Sequence, residues 1–147
     1  MKIYKNARFS VAVASVLAAV SLSACAVGAG PAVAPKVAAV PQVNVTLNEF
    51  KILTDRPQVP AGLVKFLVTN SGTITHEMVM EEMSSRDKPM DLDGTESEVA
   101  DLGPGKTSAV TWNLSKPGTY RLSCYKTDNN IDHFALGMMT MITVTAK

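Results

Sequence analysis

Between Val43 and Val144 the chain runs in short stretches of alternating apolar and polar residues, broken by glycine- and proline-rich turns. Val43-Asn44-Val45-Thr46-Leu47-Asn48-Glu49-Phe50 has the two-residue period of a half-buried strand. Val43, Val45 and Leu47 face inward, and Ile52 rejoins that face after a local irregularity. Asp55-Arg56-Pro57 and Pro60-Ala61-Gly62 predict turns around a short edge strand. Leu63 to Thr69 predicts the next strand, with Val64, Phe66 and Val68 on one face, and Asn70-Ser71-Gly72 ends it. His76 to Met83 predicts a fourth. Thr107 to Leu114 follows, with Ser108, Val110 and Trp112 on one side, then Thr119 to Cys124, and Met139 to Thr145 closes the series. About seven or eight short strands with no convincing amphipathic helix predict an all-β fold, an antiparallel Greek-key sandwich. Just over a hundred residues in this region suffice for one core and not two.

The alternation breaks from Glu81 to Asp101. This stretch has eight acids (Glu81, Glu82, Asp87, Asp91, Asp93, Glu96, Glu98 and Asp101) against Arg86 and Lys88, a net −6. It has no clean period, which predicts a long loop with at most a helical turn. Long loops of this kind are often functional. Two readings stand: a solvated loop with ordinary surface charge, and a docking surface that steers a basic partner.

The N-terminus has a different logic. Lys2, Lys5 and Arg8 precede an apolar core from Phe9 to Leu22, the layout of a signal peptide and too short to span a bilayer comfortably. Leu22-Ser23-Ala24-Cys25 resembles the bacterial lipoprotein signal, in which the cysteine becomes the first residue and carries lipid. On that reading residues 1–24 are removed and Cys25 is the lipidation site. Residues 25–42, with three prolines among small residues, are a flexible tether. The domain spans 43–147 and works in the periplasm or at the cell surface, anchored to a membrane. Without its first 24 residues the chain has 11 Lys and Arg against 13 Asp and Glu, a net −2 that gives no footprint for nucleic acid.

Export sharpens the cysteine count. The chain has two cysteines, and lipidation uses Cys25, which leaves Cys124 a lone thiol in an oxidising compartment. A Cys25–Cys124 disulfide or an inert buried thiol are the plain alternatives. The third is metal ligation. Cys124, His133 and Met138 lie close together near the C-terminus, and the other histidine, His76, opens an apolar run. Two imidazoles, a thiolate and a weak axial thioether suit copper in an electron-transfer site.

These residues resemble those of the cupredoxins, the plastocyanin-, azurin- and sulfocyanin-like copper proteins. The carriers are Val64 to Gly72, His76-Glu77, the Pro117-Gly118-Thr119-Tyr120 turn, Cys124, and the spacing of His133 to Met138. The resemblance implies His76, Cys124, His133 and Met138 as copper ligands. It departs in one place. Eight residues separate Cys124 from His133, whereas family members usually have a much shorter spacer. Tripling a loop costs about 1 kcal/mol by the logarithmic closure scaling, far less than a metal ion contributes. Lys126 to Asp132 is rich in turn formers and predicts a surface excursion that returns His133 to its place.

The expected function is one-electron transport by an anchored copper protein. Its partner would be a redox protein, such as a cytochrome or an oxidase. An alternative is copper handling, with a copper-trafficking partner. Met78, Met80, Met83 and Met90 follow His76, and thioethers favour Cu(I), although core and strand-face packing is the plainer account of these methionines. A metal-free interaction domain is the third reading. No nucleophile and base with defined spacing argue for an enzyme.

Overall fold

The computed structural model describes residues 39–147, so the signal segment, Cys25 and most of the tether lie outside the described residues. The first strand, β1, is Gln42–Asn48. It is followed by β2 (Lys51–Thr54), β3 (Gln58–Pro60), β4 (Gly62–Asn70), β5 (His76–Glu82), β6 (Asp91–Leu92) and β7 (Thr95–Glu96). The remainder are β8 (Glu98–Leu102), β9 (Thr107–Leu114), β10 (Gly118–Ser123), β11 (Thr127–Asp128), β12 (Ile131–Asp132) and β13 (Met139–Thr145). There is no helix among the described residues.

Nine strands build two sheets, ordered β2-β1-β4-β9 and β3-β13-β10-β5-β8. The chain crosses between the sheets at β2–β3, β3–β4, β4–β5, β8–β9 and β9–β10, which makes a sandwich. Most pairs are antiparallel, but β1 runs parallel to β4 and β13 parallel to β3. Such pairs join strands distant in sequence, and no hairpin turn announces them.

The alternation in the sequence becomes the core. Val43, Val45 and Leu47 of β1, Ile52 of β2, and Val64, Phe66 and Val68 of β4 are all buried. They meet Met78, Met80, Leu122, Ile142 and Val144 from the facing sheet, with Trp112 packed on Phe66 at 5.0 Å between ring centroids. Met78 and Met80 therefore fill the core, while Met83 is exposed. Strand geometry sorts these methionines by face, as core packing requires.

The segment Glu81–Asp101 is more ordered than a loop. It has the small hairpin β6–β7, turning at Asp93 and Gly94 with φ of 57° and 80°, and then the edge strand β8 beside β5. Asp-Gly between strand residues is the signature of such a two-residue turn. Its acids are not all surface charge either. Glu81 is fully buried on β5, where it is bonded by Arg121 Nε at 3.0 Å, by Ser123 Oγ at 3.0 Å and by the Tyr125 hydroxyl. Glu81 thus drops out of any docking surface.

Candidate metal centre

Strand pairing brings the candidate residues to one pole. β5 begins with His76, and β10 pairs with it antiparallel, Ser123 opposite Val79. The C-terminal end of β10, and Cys124 just beyond it, therefore lies beside the N-terminal end of β5. β10 also pairs with β13, Ser123 opposite Met139, so Met138 comes alongside Cys124. The Cys124 N–H donates to the Met138 carbonyl at 3.1 Å, and the Met138 N–H donates to the His133 carbonyl at 3.0 Å.

The loop that delivers His76 is clamped by Asn70, which is fully buried. Its Nδ2 donates to the carbonyls of Ile74 at 2.8 Å and Leu102 at 2.7 Å, and its Oδ1 accepts from the Gly72 N–H at 2.8 Å. A buried amide with these partners satisfied fixes one loop conformation.

The long spacer between Cys124 and His133 folds back on itself. β11 and β12 form a hairpin turning at Asn129 and Asn130, whose φ values of 47° and 63° fit a two-residue turn of the primed type. At its base the His133 N–H donates to the Lys126 carbonyl at 3.0 Å. Across that bond only Tyr125 and Lys126 separate Cys124 from His133, so the extra residues protrude without displacing it. The chain from His133 to Met138 closes in a tight turn, with the Gly137 N–H donating to the Phe134 carbonyl at 2.9 Å. Gly137 has a φ of +86°, a conformation that costs other residues roughly 1–2 kcal/mol.

At the centre, His76 Nδ1 and His133 Nδ1 are 3.3 Å apart. Cys124 Sγ lies 3.3 Å from His133 Nδ1 and 4.0 Å from His76 Nδ1. All three residues are buried, and each offers one donor atom within 4.8 Å of the others. Met138 is also fully buried. Cys124 is a free thiol among the described residues.

The electrostatics favour neutral side chains at this cluster. Burial pushes the Cys124 thiol above its ordinary pKa, while the backbone N–H groups of Glu77 and Lys126 pull it down. Burial lowers both imidazoles, and for His76 the neighbouring His133 adds to that. Neutral imidazoles present lone pairs, and a cation displaces the thiol proton. The Nε2 atoms of both rings are buried without a hydrogen-bond partner, an arrangement that costs stability unless a function retains it. The donor set of two Nδ1 atoms and a thiol, and its spacing, fit a soft metal ion.

The structure adds two residues from the β1–β2 turn that the sequence pattern did not single out. Phe50 packs its ring 5.0 Å from that of His133, and Glu49 Oε1 lies 3.8 Å from His76 Nε2. A third contact joins the residues that follow two of the candidate ligands. Tyr125 stacks on Phe134 at 4.7 Å with Arg86 capping the Phe134 ring at 4.5 Å. No local signal marks any of these, because each arises when distant segments meet at the pole.

No family model matches the sequence, and no curated protein matches it. Solved structures do resemble it. Reduced auracyanin from the photosynthetic bacterium Roseiflexus castenholzii shares 24% identity at a TM-score of 0.53, covering 74% of this chain and 99% of that one. Auracyanin B shares 21% at a TM-score of 0.55, covering 74% and 93%. The copper protein rusticyanin shares 17% at a TM-score of 0.52, covering 73% and 80%. At these identities the likeness is one of fold: the domain is a cupredoxin-type β-sandwich.

Proposed function

We propose that this chain is an exported, lipid-anchored copper protein that carries one electron at a time between protein partners. The observation that carries the reading is the convergence of His76 Nδ1, His133 Nδ1 and Cys124 Sγ in one buried cluster, from positions up to 57 residues apart. The copper protein rusticyanin has the same fold, which supports copper as the ion. Bound copper supplies a Cu(II)/Cu(I) couple.

The chain's own residues do the rest. Cys124 gives up its proton and binds as thiolate, helped by the Glu77 and Lys126 N–H groups. With the ion bound, His76 and His133 would hold it through Nδ1, and Met138, tied by its backbone to both Cys124 and His133, would offer a weak thioether ligand. Hydrogen bonds from Asn70 and the Lys126–His133 rung hold the ligands in place in either oxidation state. Burial and the Phe50 ring exclude water. Cys25 holds the domain to the membrane through the tether, on the periplasmic side or at the cell surface. A cytochrome or an oxidase is the partner class this role needs.

Absorption and electron spin resonance test the proposal. The oxidised, copper-loaded full chain should show an intense visible thiolate-to-copper band that disappears in Cys124→Ser. A colourless protein that binds only Cu(I) would overturn electron carriage in favour of copper handling. Absence of copper in protein taken from a copper-replete export compartment would leave a metal-free interaction domain.

A further inference from the structure

We infer that Glu49 is the outer-shell carboxylate of this centre: it faces the Nε2 edge of His76, favours the tautomer that carries its proton on Nε2 and leaves Nδ1 free for the ion, and sets a negative charge beside the site that favours the oxidised metal. The inference rests on the copper reading above.

Three observations carry it. First, the two edges of the His76 ring face different groups. Nδ1 looks toward His133 Nδ1 and Cys124 Sγ, at 3.3 and 4.0 Å. Nε2 is buried, has no hydrogen-bond partner and lies 3.8 Å from Glu49 Oε1. An imidazole that gives its Nδ1 lone pair to a metal carries its proton on Nε2, so an acceptor on that side selects the ligating tautomer. Glu49 sits on the edge away from the donor cluster, so it is a partner of His76 rather than a fourth ligand.

Second, Glu49 is held in position by three hydrogen bonds. Its Oε1 accepts from the Thr73 N–H at 2.5 Å, the Thr73 hydroxyl at 3.1 Å and the Ile74 N–H at 3.2 Å. Hydrogen bonds of this kind favour the charged form of a carboxylate. The turn that delivers His76 is therefore the same turn that fastens the carboxylate to it.

Third, Gly72 makes room for the carboxylate. A Cβ there would lie 2.6 Å from Glu49 Oε1 and 2.8 Å from Oε2. No positive φ calls for glycine at this position, so the space itself is the reason for it.

The test uses the copper-loaded full chain and three variants. Glu49→Gln removes the charge. Outer-shell partners typically change metal affinity about 10–100-fold. With the Glu49 side chain 32% exposed and screened by solvent, the low end applies. The ratio of Cu(II) to Cu(I) affinity should fall about tenfold, which raises the reduction potential by about 59 mV. Gly72→Ala keeps the carboxylate but pushes it aside, and should move the potential the same way. In metal-free Glu49→Ala, nitrogen NMR should show His76 losing its Nε2–H tautomer. A Glu49→Gln protein that keeps its visible band at an unchanged potential overturns the inference. Equal weakening of Cu(I) and Cu(II) binding also overturns it, because Glu49 would then only fasten the turn. If the wild type binds no copper, the copper reading fails, and the tautomer of His76 still decides whether Glu49 controls that ring.

Discussion

Glu81 offers the sharpest test of how the pole is built. It is a fully buried carboxylate, and its partner Arg121 has a side chain only 13% exposed. Arg121 also donates to the Ser85 carbonyl at 2.5 Å, while the Tyr125 hydroxyl bonds Glu81 from the residue next to Cys124. The network thus ties the segment after β5 to the strand end that carries the thiol. Glu81→Leu strands the Arg121 charge, and removing one partner of a buried pair costs about 3–5 kcal/mol. Ser123 and Tyr125 lose their acceptor as well, which places the loss toward the upper end of that range. With a urea m-value of about 2 kcal/mol/M, the midpoint falls by about 2 M at unchanged m. Arg121→Leu in the Glu81→Leu background should cost much less than Arg121→Leu alone, because no buried carboxylate is left unpaired. The cycle should give a coupling of about 2 kcal/mol. Coupling below about 0.5 kcal/mol would refute the reasoning, since the two groups would then behave as independent surface charges.

Two further outcomes follow from the geometry. Replacing Thr127–Asp132 by Asn-Gly moves the hairpin turn to the Lys126–His133 rung, so metal binding and the visible band should survive, and loss of copper in this variant would show that the excursion shapes the site. Asp55 accepts from the Asn44 N–H at 2.8 Å and from Asn44 Nδ2 at 2.6 Å, and these bonds hold its pKa below the ordinary aspartate value. Its stabilisation is complete above the unfolded pKa and is lost as pH falls through the folded one. Asp55→Asn should therefore narrow the stability difference between neutral and strongly acidic solution, and an acid limb identical to wild type in urea titrations would contradict that.

The inward faces of β1 and β4 were legible because a strand buried on one side must alternate, and Val43, Val45, Leu47, Val64, Phe66 and Val68 do. The meeting of His76, Cys124 and His133 was legible because thiol and imidazole side chains are scarce in this chain, with two histidines and two cysteines in all. Other features depend on partners far along the chain. Glu81 lies in a run of acids and looks like surface charge until Arg121, 40 residues away, covers it. Glu49 and Phe50 end an alternating run, and nothing local indicates that their turn reaches both imidazoles. The β6–β7 hairpin did carry a signal in Asp93-Gly94, but its flanks are two residues long and too short to show a period. The parallel β1–β4 and β3–β13 pairs are set by sandwich closure, which no turn encodes.

The central claim is that one copper ion joins His76, Cys124 and His133. Copper K-edge absorption fine structure on the oxidised, copper-loaded full chain addresses it most directly. The account predicts one short copper–sulfur path and two imidazole paths, with the sulfur path gone in Cys124→Ser. A first shell of nitrogen and oxygen alone in the unaltered protein would contradict it.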